Sequence, residues 1–168
     1  MKTDTNNSQL QIPGYILHST PGHRQNSGIV IYINQEMVAK NVRKISKLTH
    51  QLMMIETEKL SIILFYKSKD SNTAEFCKDI MDLYQTRKEK NDNIIMMGDM
   101  NLDYISNNNQ EIIITIEQLG LKQIITEATH DQGGLLDHMY IRLKEHEIID
   151  SGIYSVYYSD HDSIFMSY

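Results

Sequence analysis

Three unbroken apolar runs, Leu52-Met53-Met54-Ile55, Ile62-Ile63-Leu64-Phe65-Tyr66 and Ile94-Ile95-Met96-Met97, limit what this chain can fold into more than any other feature. Each is short, rich in β-prone side chains and bounded by polar residues, which reads as a strand. A strand without polar alternation has no face to offer water, so Ile94 to Met97 belongs in a sheet covered on both sides. Ile29-Val30-Ile31-Tyr32-Ile33, after Gly28, reads as a further buried strand, and Leu135 to Leu143, Ile153 to Tyr158 and Ile164 to Tyr168 as three more. Helix is expected twice. Ala74 to Lys88 places Phe76, Ile80, Leu83 and Tyr84 at helical spacing behind an Asn72/Glu75 capping box. Gln110 to Leu119 is rich in isoleucine, but Glu111 near its start and Gly120 just past its end suit helix termini. Strands outnumber helices and mostly follow one another, which predicts an α+β fold with antiparallel pairs rather than alternating βαβ units.

The 168 residues fit one domain, undivided by any repeat or low-complexity tract. Residues 1–27 hold both prolines, in Pro13-Gly14 and Pro21-Gly22, and read as a loop-rich lead-in. With 40% hydrophobic and 23% charged residues, the composition is that of a chain with a packed core. No apolar run approaches the roughly 18 to 20 residues of a membrane-spanning helix, and the polar start Met1-Lys2-Thr3-Asp4-Thr5-Asn6-Asn7 lacks the apolar centre of a secretory signal. An intracellular setting, nuclear or cytoplasmic, is the expectation. The single cysteine, Cys77, excludes an internal disulfide framework and a thiolate metal cage, and no disulfide-linked partner is expected. A net charge of -6 argues against binding nucleic acid by bulk charge. It leaves room for an enzyme that grips phosphate locally or through a metal.

Carboxylate, amide and imidazole groups concentrate where apolar runs end: Gly98-Asp99-Met100-Asn101, Leu136-Asp137-His138 and Ser159-Asp160-His161-Asp162. Loops at strand ends are where sites are usually built. Alone, each triplet is a common turn or a chance neighbour pair. In this order, each beside an apolar run, they are far more specific. His130, His138, His18 and His23 lie outside this set; the first two could approach the same site but read first as local hydrogen-bonding residues, and the last two read as solvated. Met53, Met54, Met96 and Met97 read as core filler. Lys40, Arg43, Lys44 and Lys47 form a basic run that reads as a solvated face, with contact to a DNA backbone as the alternative.

With these motifs the sequence resembles the endonuclease/exonuclease/phosphatase superfamily. The family's strand followed by Gly-Asp-Phe-Asn is similar to Ile94 to Asn101, with Met100 for the usual Phe, and its closing Ser-Asp-His is similar to Ser159-Asp160-His161. Gly134-Leu135-Leu136-Asp137-His138 after Thr129-His130 resembles the family's Leu-Asp-His strand and the Pro-Thr-His of mobile-element members, with Ala128 for the proline. Pro13-Gly14-Tyr15, Gly28 to Tyr32 and Phe65 to Ser68 resemble further family segments, with Ser27 in place of one glycine. The style is that of endonuclease domains of non-LTR retrotransposons and Helitron-like elements.

The resemblance implies a four-layer α/β/β/α sandwich of two mostly antiparallel sheets. The chain would form a single partial domain over 1–168. The family's opening strand ending in Asn, and its second ending in Glu-Thr, would lie before Met1, so the chain is expected to lack its first strand, first helix and second strand. Lys2-Thr3 is similar to residues that follow that Glu, and Asp4-Thr5 is a poor stand-in for Glu-Thr. The resemblance also implies Mg2+-dependent phosphodiester hydrolysis, with Mn2+ as a substitute, on DNA. Asp99 would orient or deprotonate the attacking water, Asn101 and Tyr66 would donate to the phosphate, and Asp137 would orient His161, itself a donor to the scissile phosphate. Asp160 would be the metal ligand. A phosphatase or lipid phosphodiesterase on the same scaffold is the alternative within enzymes. Outside enzymes, the alternative is an inactive remnant that binds nucleic acid or a partner, completed by an upstream segment or another chain.

Overall fold

The apolar runs are strands. The computed structural model describes residues 10–23, 27–88, 93–106, 110–143 and 150–167. Lys2-Thr3 and Asp4-Thr5 lie outside them. The described elements follow in the order β1 (Tyr15–Ser19), β2 (Val30–Asn34), β3 (Asn41–Ser46), β4 (His50–Glu56), β5 (Ser61–Lys67), α1 (Thr73–Gln85), β6 (Ile94–Asp99), α2 (Glu111–Gln118), β7 (Lys122–Gln123), β8 (Asp137–Arg142), β9 (Asp150–Tyr154) and β10 (Ser163–Ser167). Six strands form one sheet in the order β3-β4-β5-β6-β8-β7, while β1-β2 and β9-β10 pair separately.

Within the large sheet β5 and β6 run parallel and every other pair is antiparallel. The expectation of antiparallel pairs without βαβ is therefore corrected at one place. The thirteen-residue α1 carries the chain back across the sheet between β5 and β6, the connection a parallel pair requires. Its start is the predicted cap, Asn72 Oδ1 accepting from the Glu75 amide at 2.9 Å.

Side chains alternate between the two faces of the large sheet. On one face Leu52, Met54, Ile63, Phe65, Ile94 and Met96 bury against Phe76 and Ile80 of α1 and Ile112 and Ile116 of α2. On the other, Met53 and Ile55 pack under Ile29 and Ile33 near β2, and Ile95, Met139 and Ile141 pack under Ile153, Ile164 and Met166 of the β9-β10 pair. Helix, sheet and hairpins make three layers of the α/β/β/α sandwich, and the full burial of every β4 residue follows from this double cover.

Several expectations change. Tyr15–Ser19, placed in a loop-rich lead-in, is a strand in register with Val30–Asn34. His18 is accordingly half-buried rather than solvated, and burial, with the nearby Lys44 charge, lowers its pKa. His23 is exposed, as expected, and meets Ser46 Oγ at 2.8 Å. The basic run forms the edge strand β3 and its flanks: Lys44 Nζ donates to the Ser19 carbonyl at 2.6 Å, and Lys47 Nζ pairs with Glu75 at 2.9 Å and Asp79 at 2.5 Å. Asp79 also meets buried His50 at 2.8 Å. The strand expected over Ile153 to Tyr158 stops at Tyr154, and beyond it the chain turns through the Ser159-Asp160-His161 segment.

Candidate active site

Register alone brings the acidic residues together. Tyr66 at the end of β5 pairs with Asp99 at the end of β6, and Asp99 pairs with Asp137 at the start of β8. Paired residues share a face, so Tyr66, Asp99 and Asp137 form one row across three central strands, on the side that the hairpins cover. The turn at the end of β6 is built for this. Gly98 has φ +150°, and a Cβ there would run into the Phe65 carbonyl oxygen, so only glycine lets β6 lie this close to β5. Asn101 sits at φ +49°, a left-handed conformation that asparagine tolerates better than most residues.

Asn101 holds Asp99. Its amide N–H donates to Asp99 Oδ1 at 2.8 Å, and its Nδ2 donates to Asp99 Oδ2 at 3.0 Å and to the Lys67 carbonyl at 3.0 Å. Burial pushes the Asp99 carboxyl up, the Asn101 amide opposes the shift, and the charge of Asp137 adds to it. A raised carboxylate suits proton abstraction from water.

His161 reaches the row from the β9-β10 connection, its Nδ1–H donating to Asp137 Oδ2 at 2.8 Å. Burial alone would lower the imidazole pKa, but the hydrogen bond and the charges of Asp137, Asp99 and Asp160 outweigh it, and the net shift is upward. The pairing fixes the tautomer and leaves Nε2 as the proton-exchanging atom. Five of the six expected site residues, Tyr66, Asp99, Asn101, Asp137 and His161, are thus joined by register or hydrogen bond. Asp160 stands at the rim, its side chain 72% exposed and its Oδ2 3.6 Å from His130 Nε2.

Two supporting residues had no assigned part in the chemistry. Buried Thr129 accepts at Oγ1 from the amides of Leu136 at 3.1 Å and Asp137 at 3.0 Å, while its carbonyl accepts from the Asp162 amide at 2.8 Å. It therefore ties the start of β8 to the histidine segment. The His130 ring lies edge-on to His161 with centroids 4.8 Å apart. Nothing in a lone Thr-His dipeptide announces either contact; the signal was its place in the mobile-element motif. His138, expected to be a local hydrogen-bonding residue, is fully buried on the opposite face. Its Nε2–H donates to the Leu102 carbonyl at 2.8 Å and its Nδ1 accepts from the Tyr140 hydroxyl at 2.9 Å. Burial lowers its pKa, and its two hydrogen bonds make it a strut between β8 and the turn after β6.

A metal would find limited support. Among the described residues, no three His, Cys, Asp or Glu side chains group as a metal site. Exposed Asp160 offers one carboxylate, which fits Mg2+ held mainly through water and substrate phosphate rather than by a closed protein cage.

No protein-family model matches the sequence, and a search of curated proteins finds no match. Solved structures do match. The endonuclease domain of TRAS1, a telomere-specific non-LTR retrotransposon, superposes with a TM-score of 0.66 at 14% identity, over 91% of this chain and 77% of that one. An endonuclease/exonuclease/phosphatase family protein from Leptotrichia buccalis gives 0.61 at 17% identity, over 95% and 75%. The chain has the endonuclease/exonuclease/phosphatase fold. A Cimex nitrophorin, a ferrous NO complex, shares it at a TM-score of 0.60 and 12% identity over 95% and 76%, so the architecture alone does not select a chemistry. The site must do that.

Proposed function

We propose that this chain is a phosphodiester hydrolase whose substrate is DNA, derived from the endonuclease domain of a mobile element. The observation that carries the reading is the joining of Asp99, Asn101, Tyr66 and the His161–Asp137 pair at one end of the central strands. Such hydrolysis needs an activated water and donors for the charge that grows on the phosphoryl oxygens. Asp99, held by Asn101 and raised by burial, orients and deprotonates the water. His161, kept cationic by Asp137 to higher pH than an ordinary histidine, donates to the scissile phosphate, and Tyr66 adds a hydroxyl from the neighbouring strand. Asp160 would hold the divalent cation, Mg2+ or Mn2+, which when bound neutralises phosphate charge. The similarity to a retrotransposon endonuclease domain supports DNA as the substrate; a phosphatase or lipid phosphodiesterase would use the same groups.

A second reading has its own observation. With one exposed carboxylate as the principal metal ligand, the chain alone would be catalytically weak or silent, and a segment supplied upstream or by another chain would complete it. The outer edges of the two-stranded pairs β1-β2 and β9-β10 are where such a segment would pair.

Plasmid nicking separates the readings. The chain is expected to convert supercoiled DNA to open circles with Mg2+, to stop with EDTA, and to lose activity by about a hundredfold or more as His161→Ala. Phosphate release from a small phosphoester without nicking would favour the phosphatase. Absence of both activities would leave the silent reading.

A further inference from the structure

The connection between β9 and β10 carries two tyrosines directly ahead of Ser159-Asp160-His161, and they are the most exposed large side chains of the segment. Tyr157 is 100% exposed and Tyr158 76%. A buried aromatic side chain such as tyrosine commonly removes about 150–250 Å² from water, so two adjacent rings held in solvent are not explained by packing. Nor are they on a loose tip. The Val156 amide donates to Asp162 Oδ1 at 3.2 Å, the His161 amide to Ser159 Oγ at 3.0 Å, and the Asp162 amide to the Thr129 carbonyl at 2.8 Å. The same segment is anchored to the site by the His161–Asp137 hydrogen bond. The two rings stand edge to face, centroids 5.4 Å apart and planes at 83°, and so present flat faces in two directions.

We infer that Tyr157 and Tyr158 form a stacking platform for an unpaired nucleobase next to the scissile phosphate. Every base has a π-face, so base–aromatic stacking is tolerant of sequence, and it is a contribution distinct from the attraction of basic side chains for phosphate. That matters for a chain of net charge -6, which cannot gather nucleic acid through counterion release as a basic protein does. Between Tyr154 and Ser163 the segment has two aspartates and no Lys or Arg. A membrane-seeking loop would show the reverse, basic residues beside Trp, Phe or Leu. A base must be unstacked to lie on a ring, which makes single-stranded or locally opened nucleic acid the substrate form.

The inference depends on the nuclease reading for the position of the phosphate, but stacking needs neither cation nor turnover and can be measured apart from it. The full chain is titrated in EDTA with labelled dodecathymidylate, the matching duplex, and phosphatidylcholine vesicles, with plasmid nicking in Mg2+ run in parallel. Single-stranded binding is expected to exceed duplex binding and to weaken about tenfold for Tyr157→Ala and again for Tyr158→Ala. Tyr157→Phe and Tyr158→Phe should bind like the parent, since the ring face is kept, and all four variants should melt with the parent because the rings are exposed. Unchanged oligonucleotide binding by both alanine variants overturns the platform, even if the chain nicks plasmid. Tyrosine-dependent attachment to vesicles without tyrosine-dependent DNA binding also overturns it, in favour of a lipid surface. Tyrosine-dependent DNA binding by a chain that nicks nothing upholds the platform and counts against the nuclease reading alone.

Discussion

Asp137 serves two neighbours at once: its backbone amide is held by Thr129 Oγ1 and its carboxylate holds His161. Asp137→Asn keeps the shape and removes the charge, so the largest part of the upward pull on His161 is lost while its burial and the weaker pull of Asp99 and Asp160 remain. The His161 pKa, followed by NMR titration of its ring protons, should fall from its raised value. An unchanged value would mean that the pair does not form in solution. The sign carries over to stability. A histidine raised in the folded state contributes stability that is fully present below its unfolded pKa and is lost as pH rises through the folded value, and that dependence should shrink in Asp137→Asn. Thr129→Val is the companion test, since it conserves shape but leaves two amides without their acceptor, at a cost of about 1–3 kcal/mol. It should also release His161 toward an ordinary titration. Asp99, Asn101, Asp137 and His161 could be picked out in the sequence because their motifs are contiguous. Thr129 could not be given its task, because its partners come from β8 and from the segment after β9.

At the scale of elements, the junction of β5, β6 and β8 sets the site. Gly98 packs against the Phe65 carbonyl with φ +150°, so Gly98→Ala meets both a steric and a conformational penalty, about 3 kcal/mol or more in urea unfolding. Gly133, at φ +83° with open space around its missing Cβ, is the control: Gly133→Ala should cost about 1 kcal/mol from backbone strain alone. Equal costs would show that the close β5-β6 approach is not what the glycine serves. Runs such as Ile94 to Met97 and the capped helix at Thr73 were legible because burial on both faces and capping leave local marks. The edge strand β3 was not, because Arg43 and Lys44 read as solvent-facing residues, and only their neighbours, the Ser19 carbonyl for Lys44 among them, show what tethers the strand.

Across the whole molecule, stability is expected to be uneven. The large sheet is covered by helices on one side and hairpins on the other, whereas β1-β2 and β9-β10 are two-stranded sheets that depend on packing against it, since such a pair is only marginally stable by itself. Hydrogen exchange should find the amides of Leu52 to Ile55 and Ile62 to Phe65 opening only with global unfolding, and those of β1, β2, β9 and β10 opening about tenfold or more faster. Uniform protection would mean that the hairpins and the sheet form one cooperative unit. If the hairpins do open separately, His161 moves with β9-β10 while Asp99 stays with the sheet, so the site assembles only when both parts are docked. By itself the sequence determined the apolar strands, though not β1, β3 or β7, together with the two helices and the chemical groups available, since apolar period, caps and contiguous motifs are local properties. Tertiary structure alone decided the parallel β5-β6 pair, the row Tyr66-Asp99-Asp137, and the tie that Thr129 makes between β8 and the His161 segment. Those depend on strand register and hairpin docking, contacts between segments far apart in the chain that no local pattern encodes.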